Sequence, residues 1–571
     1  MDRNFLLAVV LSLLVVTLWT SQQSRTPEGA DAEKVEQGAS PGVASEANAA
    51  AAQADPRAVA ESPALEESAP PALPDAPEER IEIRGDDYRA VLSSRGAVLV
   101  SYEITDYVSW DPPGEAPIDL LLAPESVPVR VGATPFEELG LGDLRAASFA
   151  VEERSEHGAS FVLTRRGVTV RKTFRFEPDG HAFEFSVSVE NASGELLSPR
   201  FAVEWPANQV HGNDYRQLSL VTLHDGSVRR VAVESVGSSG FLGLGGDKGE
   251  PNEAGEGGLE WFGVDTKYFI GVLAPRRTAG AATIYARTSV GTPARDGLFG
   301  ASAVNVFRYA PIALPSGNRI TQEFEGYVGP KLENELLAFG ANLQRSIDLG
   351  YRWLEPLTHF FLWLLRALYS IVPNYGVAII ALTLLVRVAT LPILQKQMKS
   401  MEKMRKLQPQ MKEIQEKYGD DREKQSQAMM SLYRESGVNP LGGCLPLLLQ
   451  MPVFIGLFYA LQSSIELRHA PFVLWMTDLS APESLFTIPG VGLPFRVLPI
   501  LMSVSMAVQA KFQPAGPDPA QQRMMMVMMP IMMLVLFYQF PSGLVLYYML
   551  SNFLGIAHQW WIGRNMKPAG A

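Results

Sequence analysis

One arginine lies inside an apolar run of the sequence, and it is the first candidate for a functional residue. Arg387 interrupts residues 375–393 (YGVAIIALTLLVRVATLPI), whose length and composition are typical of a membrane-spanning helix. A charge in such a helix costs about 2.5–3.5 kcal/mol on insertion scales, so it is kept only with a partner, with water or for a function. Arg387 precedes Gln395 by eight residues, about 12 Å along a helix, so its side chain could also extend towards the headgroups.

Polar side chains also occur in the other apolar segments, where a helix bundle could bring them together. Thr383 lies one helical turn before Arg387, and the later candidates are Gln450, Ser505, Tyr548, Ser551 and Asn552. Each alone is typical of packing between transmembrane helices. Together they predict a hydrated groove that carries one positive charge. The sequence has no P-loop, HExxH, CxxC or GxSxG pattern, so we expect no cofactor, no metal site and no catalytic residue.

The charges divide the chain into two parts. Residues 1–350 hold 30 Lys and Arg against 49 Asp and Glu, whereas residues 351–571 hold 19 against 12. An acidic first part and a basic, apolar second part predict a soluble domain joined to a membrane domain. The single cysteine, Cys444, excludes an internal disulfide, so the soluble domain must be stabilised by its core.

The first part is predicted to contain an anchor, a tether and one β-domain. Residues 1–20 are interpreted as an uncleaved signal anchor (TM1), because no A-x-A-like cleavage site follows them. Residues 21–80, rich in Ala, Pro, Glu and Ser, predict a disordered linker. Residues 81–330 show short alternating apolar runs, clearest at 172–189, where phenylalanines alternate on both sides of a Pro-Asp-Gly turn. This pattern predicts a large all-β supersandwich, followed by a connecting helix at 331–350.

The second part is predicted to be helical. Residues 351–373 carry a narrow charged stripe of Glu355, His359 and Arg366 on an otherwise apolar helix, which predicts an amphipathic helix in the membrane interface. The alternative is a true span with a polar seam. Residues 374–571 are then a membrane core with five spans. These spans, TM2 to TM6, are predicted at 375–395, 441–462, 494–511, 524–540 and 543–562.

The distribution of basic residues predicts the orientation of these spans. Ten Lys and Arg occur in residues 395–439, but the loop at 463–493 contains Arg468 alone. Basic flanks stay in the cytoplasm, so residues 395–439, the loop at 512–523 and the C-terminus are predicted to be cytoplasmic. With TM1 this gives six spans, both termini in the cytoplasm and the β-domain outside.

The polar insert at residues 396–438 is predicted to be a cytoplasmic helical hairpin. Its apolar residues recur at steps of three and four residues, and the members of this stripe are Met398, Met401, Met404, Leu407, Met411 and Ile414, with Met429 on the facing stripe of the second arm. The stripe is either the seam of the hairpin itself or an adaptable surface that receives apolar substrates, which methionine suits by its flexibility. The sequence leaves both interpretations open.

Three runs of residues resemble a known family. VRVATLPILQKQMKSMEKMRKLQPQMKEIQEKYGDD, VNPLGGCLPLLLQMPVFIGLFYAL and QFPSGLVLYYMLSN are similar to the YidC/Oxa/Alb membrane protein insertases, most closely those of Gram-negative bacteria. The resemblance covers residues 350–565. It implies an insertase and chaperone that integrates and folds inner-membrane proteins, alone or with the Sec translocon. It also implies a groove open to the cytoplasm and to lipid but closed to the periplasm, below a periplasmic β-domain.

The resemblance also implies roles for residues and partners. Arg387, Thr383, Gln450 and Tyr548 match groove positions, and residues 395–439 match a mobile hairpin that receives substrates. The implied partners are nascent membrane proteins, the Sec translocon with its accessory complex, and the lipid bilayer of the bacterial inner membrane. Ribosome contact is expected to be weak, because only GRNMKPAGA follows Ile562. No nucleic-acid recognition is expected.

Two other functions are compatible with parts of the sequence. A polytopic transporter would also place polar groups in the membrane, although such proteins usually contain internal repeats and this chain shows none. An anchored enzyme or sugar-binding protein could use His211 with Asp214 or His224 with Asp225 in the β-domain. Neighbours of this kind arise by chance, and a fold alone does not give a function.

Overall fold

The computed structural model describes a β-domain followed by a helical part. The described residues are 77–109, 116–123, 129–209, 218–233, 252–254, 258–277, 281–290, 301–419, 421–437, 445–489, 492–511 and 524–565. The predicted anchor and almost all of the predicted linker lie outside them. The strands are β1 (Arg80–Arg84), β2 (Tyr88–Ser93), β3 (Val98–Val108), β4 (Pro117–Asp119), β5 (Ala150–Ser155), β6 (Gly158–Arg165), β7 (Val168–Phe176), β8 (Ala182–Asn191), β9 (Ala202–Asn208), β10 (Ser219–His224), β11 (Ser227–Ala232), β12 (Asn252–Ala254), β13 (Leu259–Asp265), β14 (Phe269–Pro275), β15 (Ala281–Val290), β16 (Ala301–Tyr309), β17 (Arg319–Pro330), β18 (Phe486–Thr487) and β19 (Pro494–Phe495).

The described strands of the β-domain form three antiparallel sheets. The largest has the order β11-β10-β13-β14-β17-β8-β7-β6-β5, and the two others are β1-β2-β3-β4 and β12-β15-β16-β9. Within the largest sheet, Phe174 pairs with Phe185 and Phe176 with Phe183, with ring centroids 4.6 and 5.3 Å apart. The predicted hairpin with one buried face is therefore confirmed.

One buried core joins the three sheets. Tyr88 of β2 packs against Phe176 of β7 at 5.8 Å between ring centroids, and Phe262 of β13 stacks on Phe307 of β16 at 5.1 Å. All four side chains belong to a single buried cluster. The all-β character predicted for this part is confirmed, and burial of alternate side chains from facing sheets stabilises it.

The helical part begins with a break that the sequence prediction missed. The predicted connecting helix at 331–350 is instead α1 (Glu333–Phe339), followed by a single 3₁₀ turn at Leu343–Ser346. Gly340, Ala341 and Asn342 all have positive φ, at 83°, 46° and 55°, so the helical hydrogen-bond ladder cannot continue through them.

Seven further helices follow among the described residues. They are α2 (Glu355–Ile371), α3 (Tyr375–Lys417), α4 (Arg422–Glu435), α5 (Leu445–Ser463), α6 (Val497–Ala510), α7 (Met529–Phe537, preceded by a π-helical turn at Met524–Met528) and α8 (Ser542–Asn565). The charged stripe predicted on α2 contacts the segments next to it: Arg366 forms ion pairs with Glu333 of α1 at 3.1 Å and with Glu466 at 2.9 Å.

Helix α3 joins two elements that the sequence analysis treated separately. It runs without interruption from the apolar segment into the first arm of the predicted cytoplasmic hairpin, and α4 is the second arm. Among the described residues, one stretch is long and apolar enough to cross a membrane, Tyr375–Pro392 of α3. The shorter apolar helices are Met451–Ser463, Val497–Ala510 and Met526–Phe537. Their side chains, with those of α2 and α8, form a second buried cluster.

Candidate functional site

Arg387 lies on α3, and its guanidinium group reaches across to α8. Its Nη2 donates hydrogen bonds to both the backbone carbonyl and the hydroxyl of Ser551. The side chain is half-buried, and its buried Nε has no hydrogen-bond partner among the described residues. Arg387 is therefore held in place by neutral oxygen atoms and retains donor capacity.

Asn552 extends this contact from α8 to α6. Its Nδ2 donates to Oγ of Ser505 at 3.3 Å, and Oγ of Ser505 donates to the carbonyl of Met502 at 2.6 Å. The structure thus brings together four of the predicted residues where α3, α6 and α8 meet. We refer to Arg387, Ser505, Ser551 and Asn552 as the polar cluster.

Gln509 and Gly555 complete the surroundings of the arginine, and of the two Gly555 was not predicted. A Cβ atom on Gly555 would lie 3.2 Å from Nε2 of Gln509 and 3.7 Å from Nη2 of Arg387. Both side chains fit over α8 because Gly555 has none. Its position one helical turn after Ser551 could have identified it, but glycine in an apolar helix is equally typical of close helix packing.

Thr383 and Tyr548 lie in the same bundle but outside the polar cluster. Thr383 is fully buried, and its hydroxyl donates to the carbonyl of Ile379 in its own helix at 2.6 Å. The ring of Tyr548 packs against Phe454 and Phe537, with centroids 4.9 and 5.0 Å apart. Its hydroxyl is buried and lacks a hydrogen-bond partner within the described part of the chain. Neither side chain contacts Arg387 through a hydrogen bond given by the structure.

The remaining predicted residues are described only in part. Gln450 belongs to α5, but its side chain lies outside the described residues, as do the side chains of Met398, Met401 and Met404. Met411 is buried and accepts a hydrogen bond from the hydroxyl of Tyr433 at 3.9 Å, whereas Met429 is half-buried. Met411 thus lies in the seam between α3 and α4, which favours the packing interpretation at that position.

The charge of Arg387 has no counter-charge within the helical bundle. Among the described residues, no carboxylate forms a salt bridge with it, and its hydrogen-bond acceptors are the neutral oxygens of Ser551. The sequence gives the reason, because Asp and Glu are absent from every bundle segment: 375–395, 445–463, 497–510, 524–537 and 542–565. The polar cluster can therefore attract an anionic group from outside the protein.

The loop between α5 and α6 packs over the start of α8. Leu467, Met476 and Leu479 of this loop are buried in the helical core. The backbone N–H of Gly543 donates to the carbonyl of Leu479 at 2.9 Å, and the hydroxyl of Ser542 donates to the carbonyl of Asp478 at 2.8 Å. Side chains of the loop therefore fill the end of the bundle where α3 and α8 begin. The hairpin formed by the second part of α3 and by α4 lies at the opposite end.

Metal chemistry has no support at this site. In the part of the chain that the structure describes, no group of three or more His, Cys, Asp or Glu side chains is arranged to hold a metal ion. The polar cluster consists of one cation and neutral hydrogen-bonding groups, which can bind water and polar or acidic groups.

Comparison with known proteins decides the family. A family model described as "60Kd inner membrane protein" matches residues 367–569, and one described as "YidC periplasmic domain" matches residues 80–364. The membrane protein insertase YidC of Oleidesulfovibrio alaskensis is 31% identical over 99% of this chain and 99% of its own. The one from Pelobacter propionicus is 34% identical over the same shares. The chain belongs to the YidC family of membrane protein insertases.

Membership of this family confirms the resemblance that the three sequence runs carry. It identifies a protein of the bacterial inner membrane with a periplasmic domain, and it supports an insertase rather than an enzyme. A crystal structure described as an active YidC insertase covers 84% of this chain and 92% of its own at 19% identity, with a TM-score of 0.35. A putative aldose 1-epimerase of Escherichia coli covers 44% of this chain at 12% identity, with a TM-score of 0.32. The assignment therefore rests on the sequence matches.

Proposed function

We propose that this chain inserts nascent membrane proteins by receiving the polar flank of a polypeptide at the polar cluster and releasing its apolar segment into lipid. The observation that carries this proposal is the charge of Arg387. It is held between helices by the neutral groups of Ser551, and no Asp or Glu occurs in the bundle segments around it. Such a charge is costly in a membrane segment, so its retention favours a functional role.

The physical basis is that a groove filled with water shortens the distance of hydrocarbon that the substrate's polar flank must cross. A polar flank that crosses hydrocarbon loses several kcal/mol for each unsatisfied backbone group. A hydrated groove that reaches the polar cluster would satisfy these groups for part of the way. Acidic flanks gain further, because a charge pair about 4 Å apart is worth roughly 4 kcal/mol at an effective dielectric constant of 20. Burial of apolar side chains in lipid, worth about 0.8 kcal/mol per CH₂ group, then drives release.

The proposed topology opens the groove on the cytoplasmic side. With the anchor, six spans leave both termini and the arms of α3 and α4 in the cytoplasm, and the β-domain in the periplasm. The ten basic residues in 395–439 support this orientation. Packing of the loop residues Leu467 and Leu479 at the other end supports a groove that is closed to the periplasm.

The proposed partners follow from this path. Nascent membrane proteins would meet the hairpin of α3 and α4 first, with Met398, Met401, Met404 and Met429 as candidate contacts, and then the groove, with Thr383, Gln450 and Tyr548 along it. The lipid bilayer receives the product. Contact with the Sec translocon and its accessory complex, and weaker contact with the ribosome, are proposed from the family alone.

Insertion into liposomes tests the proposal directly. The purified chain is reconstituted and given a small single-span protein whose N-terminal flank is either acidic or carries the corresponding amides. Protease protection of the flank reports insertion. We expect the wild type to insert the acidic form better than the amide form. In Arg387→Ala the ratio of acidic to amide insertion should fall at least about tenfold, equivalent to 1.4 kcal/mol. Arg387→Lys should keep part of it, because lysine retains the charge without the guanidinium geometry.

Arg319→Ala is the matched control, because it removes an exposed arginine that pairs with Glu190 on the β-domain. It should insert both substrates as the wild type does. Insertion no better than that of empty liposomes would refute the proposed function. Equal preference for the acidic flank in wild type and Arg387→Ala would refute the role of the charge. The water in the groove would then be what lowers the cost of moving the flank.

A further inference from the structure

The loop between α5 and α6 carries a small hairpin whose apolar side chains face outward. β18 pairs with β19 in register Phe486 with Phe495, and the two rings stack with centroids 5.1 Å apart. Leu485, Phe486 and Leu493 are each about half exposed, at 45%, 51% and 48%. No charged residue occurs between Glu483 and Arg496. A surface of this kind is unfavourable in water and typical of a contact site.

The base of this hairpin is fixed to the helical bundle. Glu483 is buried and accepts hydrogen bonds from Nε1 of Trp475 and from the backbone N–H of Leu498, both at 2.7 Å. Arg496 donates to the carbonyl of Tyr538 and stacks on its ring, 4.5 Å from the centroid. The exposed apolar side chains are therefore held in place rather than free to fold back onto the protein.

A neighbouring turn presents a further apolar side chain. Leu474 is 79% exposed and has a φ of 59°, a left-handed conformation that is strained for a residue with a branched apolar side chain. It precedes Trp475, whose indole N–H binds Glu483 at the base of the hairpin. A strained backbone that directs a leucine outward favours a function for the exposed position over chance exposure.

The position of the hairpin points to lipid as the occupant. Only Arg496 separates β19 from the first residue of α6, a helix of 14 residues and therefore about 21 Å long, against a hydrocarbon core of about 30 Å. The part of the hydrocarbon core that α6 does not span must be contacted by apolar side chains from the segments next to it. Trp475 and Tyr538 at the base of the hairpin are the residue types that concentrate at the headgroup level.

We propose that the β18–β19 hairpin and Leu474 insert into the periplasmic leaflet of the bilayer and anchor that end of the bundle in lipid. The contact takes acyl chains and headgroup glycerol rather than a protein partner, since the hairpin directly precedes a helix that is too short to cross the hydrocarbon core. It goes beyond the proposed insertion function, and it uses the proposed orientation only to name the leaflet.

Spin-label accessibility tests this contact, and the single cysteine makes it practical. In a Cys444→Ser background, nitroxide labels are placed at Phe486→Cys, Leu493→Cys and Leu474→Cys in separate full-length proteins. Val535→Cys on α7 serves as the lipid control and Leu196→Cys in the β-domain as the water control, because these side chains are 72% and 67% exposed. The proteins are reconstituted in phosphatidylcholine and phosphatidylglycerol vesicles. Collision rates with oxygen and with a water-soluble nickel complex, present on both sides of the membrane, are then measured.

The hairpin labels should behave like the lipid control, with a ratio of oxygen to nickel collisions far above that at position 196. High nickel accessibility at 486 or at 493 in a folded variant, equal to that at 196, would overturn the proposal. Labels that are exposed in vesicles but shielded in native membranes would also overturn it, because a protein partner would then be the occupant. Leu493→Cys and Phe486→Cys are independent, so misfolding of one variant still leaves a decisive result.

Discussion

Arg468 connects the loop between α5 and α6 to the β-domain, and its replacement gives the sharpest test of how the two parts are joined. Its Nη2 donates to the carbonyl of Val108 at the end of β3 at 2.6 Å. The guanidinium carbon lies 5.2 Å from the ring centroid of Phe269 and 5.9 Å from that of Tyr268. Ile465 from the same loop is buried in the core of the β-domain. Arg468→Ala should therefore loosen this contact without unfolding either part.

The structure sets the size of the effect. A hydrogen bond from a charged group contributes about 1.5–3 kcal/mol, and a cation–π contact contributes about 0.5–2 kcal/mol when it is desolvated, as it is around the 7%-exposed Arg468. Because contacts of one side chain are not additive, we expect a total of about 2–4 kcal/mol. That loss raises the population of the opened contact by roughly 30- to 800-fold.

Hydrogen exchange on the intact protein in lipid measures this population. The amides that report it are those of Ser109, bonded to the carbonyl of Ala116, and of Phe269, bonded to Oγ1 of Thr266. Both should exchange faster in Arg468→Ala, and Arg468→Lys should fall between the two, because it keeps the charge but not the planar stacking. Amides in the centre of β8 serve as the internal control. Unchanged exchange at Ser109 and Phe269 would refute the view that Arg468 joins the two parts.

Three further predictions concern the core of the β-domain and the polar cluster. Burial lowers the pKa of Lys172 from 10.5 to about 7, so unfolding takes up a proton between these pH values and stability rises with pH across the window. The urea midpoint of the β-domain should therefore rise with pH, corresponding to a gain of roughly 5 kcal/mol in the free energy of unfolding between pH 7 and 10.5. Lys172→Met should abolish this pH dependence. Gly555→Leu should displace Gln509 and Arg387 and reduce insertion of acidic flanks in the liposome assay, with Gly555→Ala much milder, since its Cβ would meet only side-chain ends. Ser551→Asp places a carboxylate at the acceptor of Arg387, so insertion of acidic flanks should fall while that of amide flanks is kept.

The parts of the molecule that sequence reasoning predicted are those with a local signal. Phe174, Phe176, Phe183 and Phe185 alternate around a turn, so their pairing follows from the two-residue period of a strand. Arg387 stands out because a charge is rare in an apolar run. Its contact with Ser551 spans 164 residues and depends on how helices pack, which a single sequence does not encode locally.

The features that were missed have weak or long-range signals. The break after α1 depends on three successive residues with positive φ, of which Gly340 and Asn342 are residue types that favour this conformation but Ala341 is not. Arg468 entered the sequence prediction only as a basic residue that indicates the orientation of the spans. The structure places it in contact with Val108, 360 residues earlier in the chain. Contacts of this kind connect domains without a periodic pattern, so they are visible only in the folded chain.

The unpaired charge of Arg387 connects the fold to the proposed activity. A carboxylate in the bundle would supply a counter-charge to the half-buried Arg387. It would also occupy the site that an acidic flank needs. The bundle instead provides neutral acceptors on Ser551, which fix the direction of the guanidinium while leaving its charge uncompensated. In the proposed function, an acidic flank would supply the interaction that the bundle leaves unmade, which would lower the barrier to its entry.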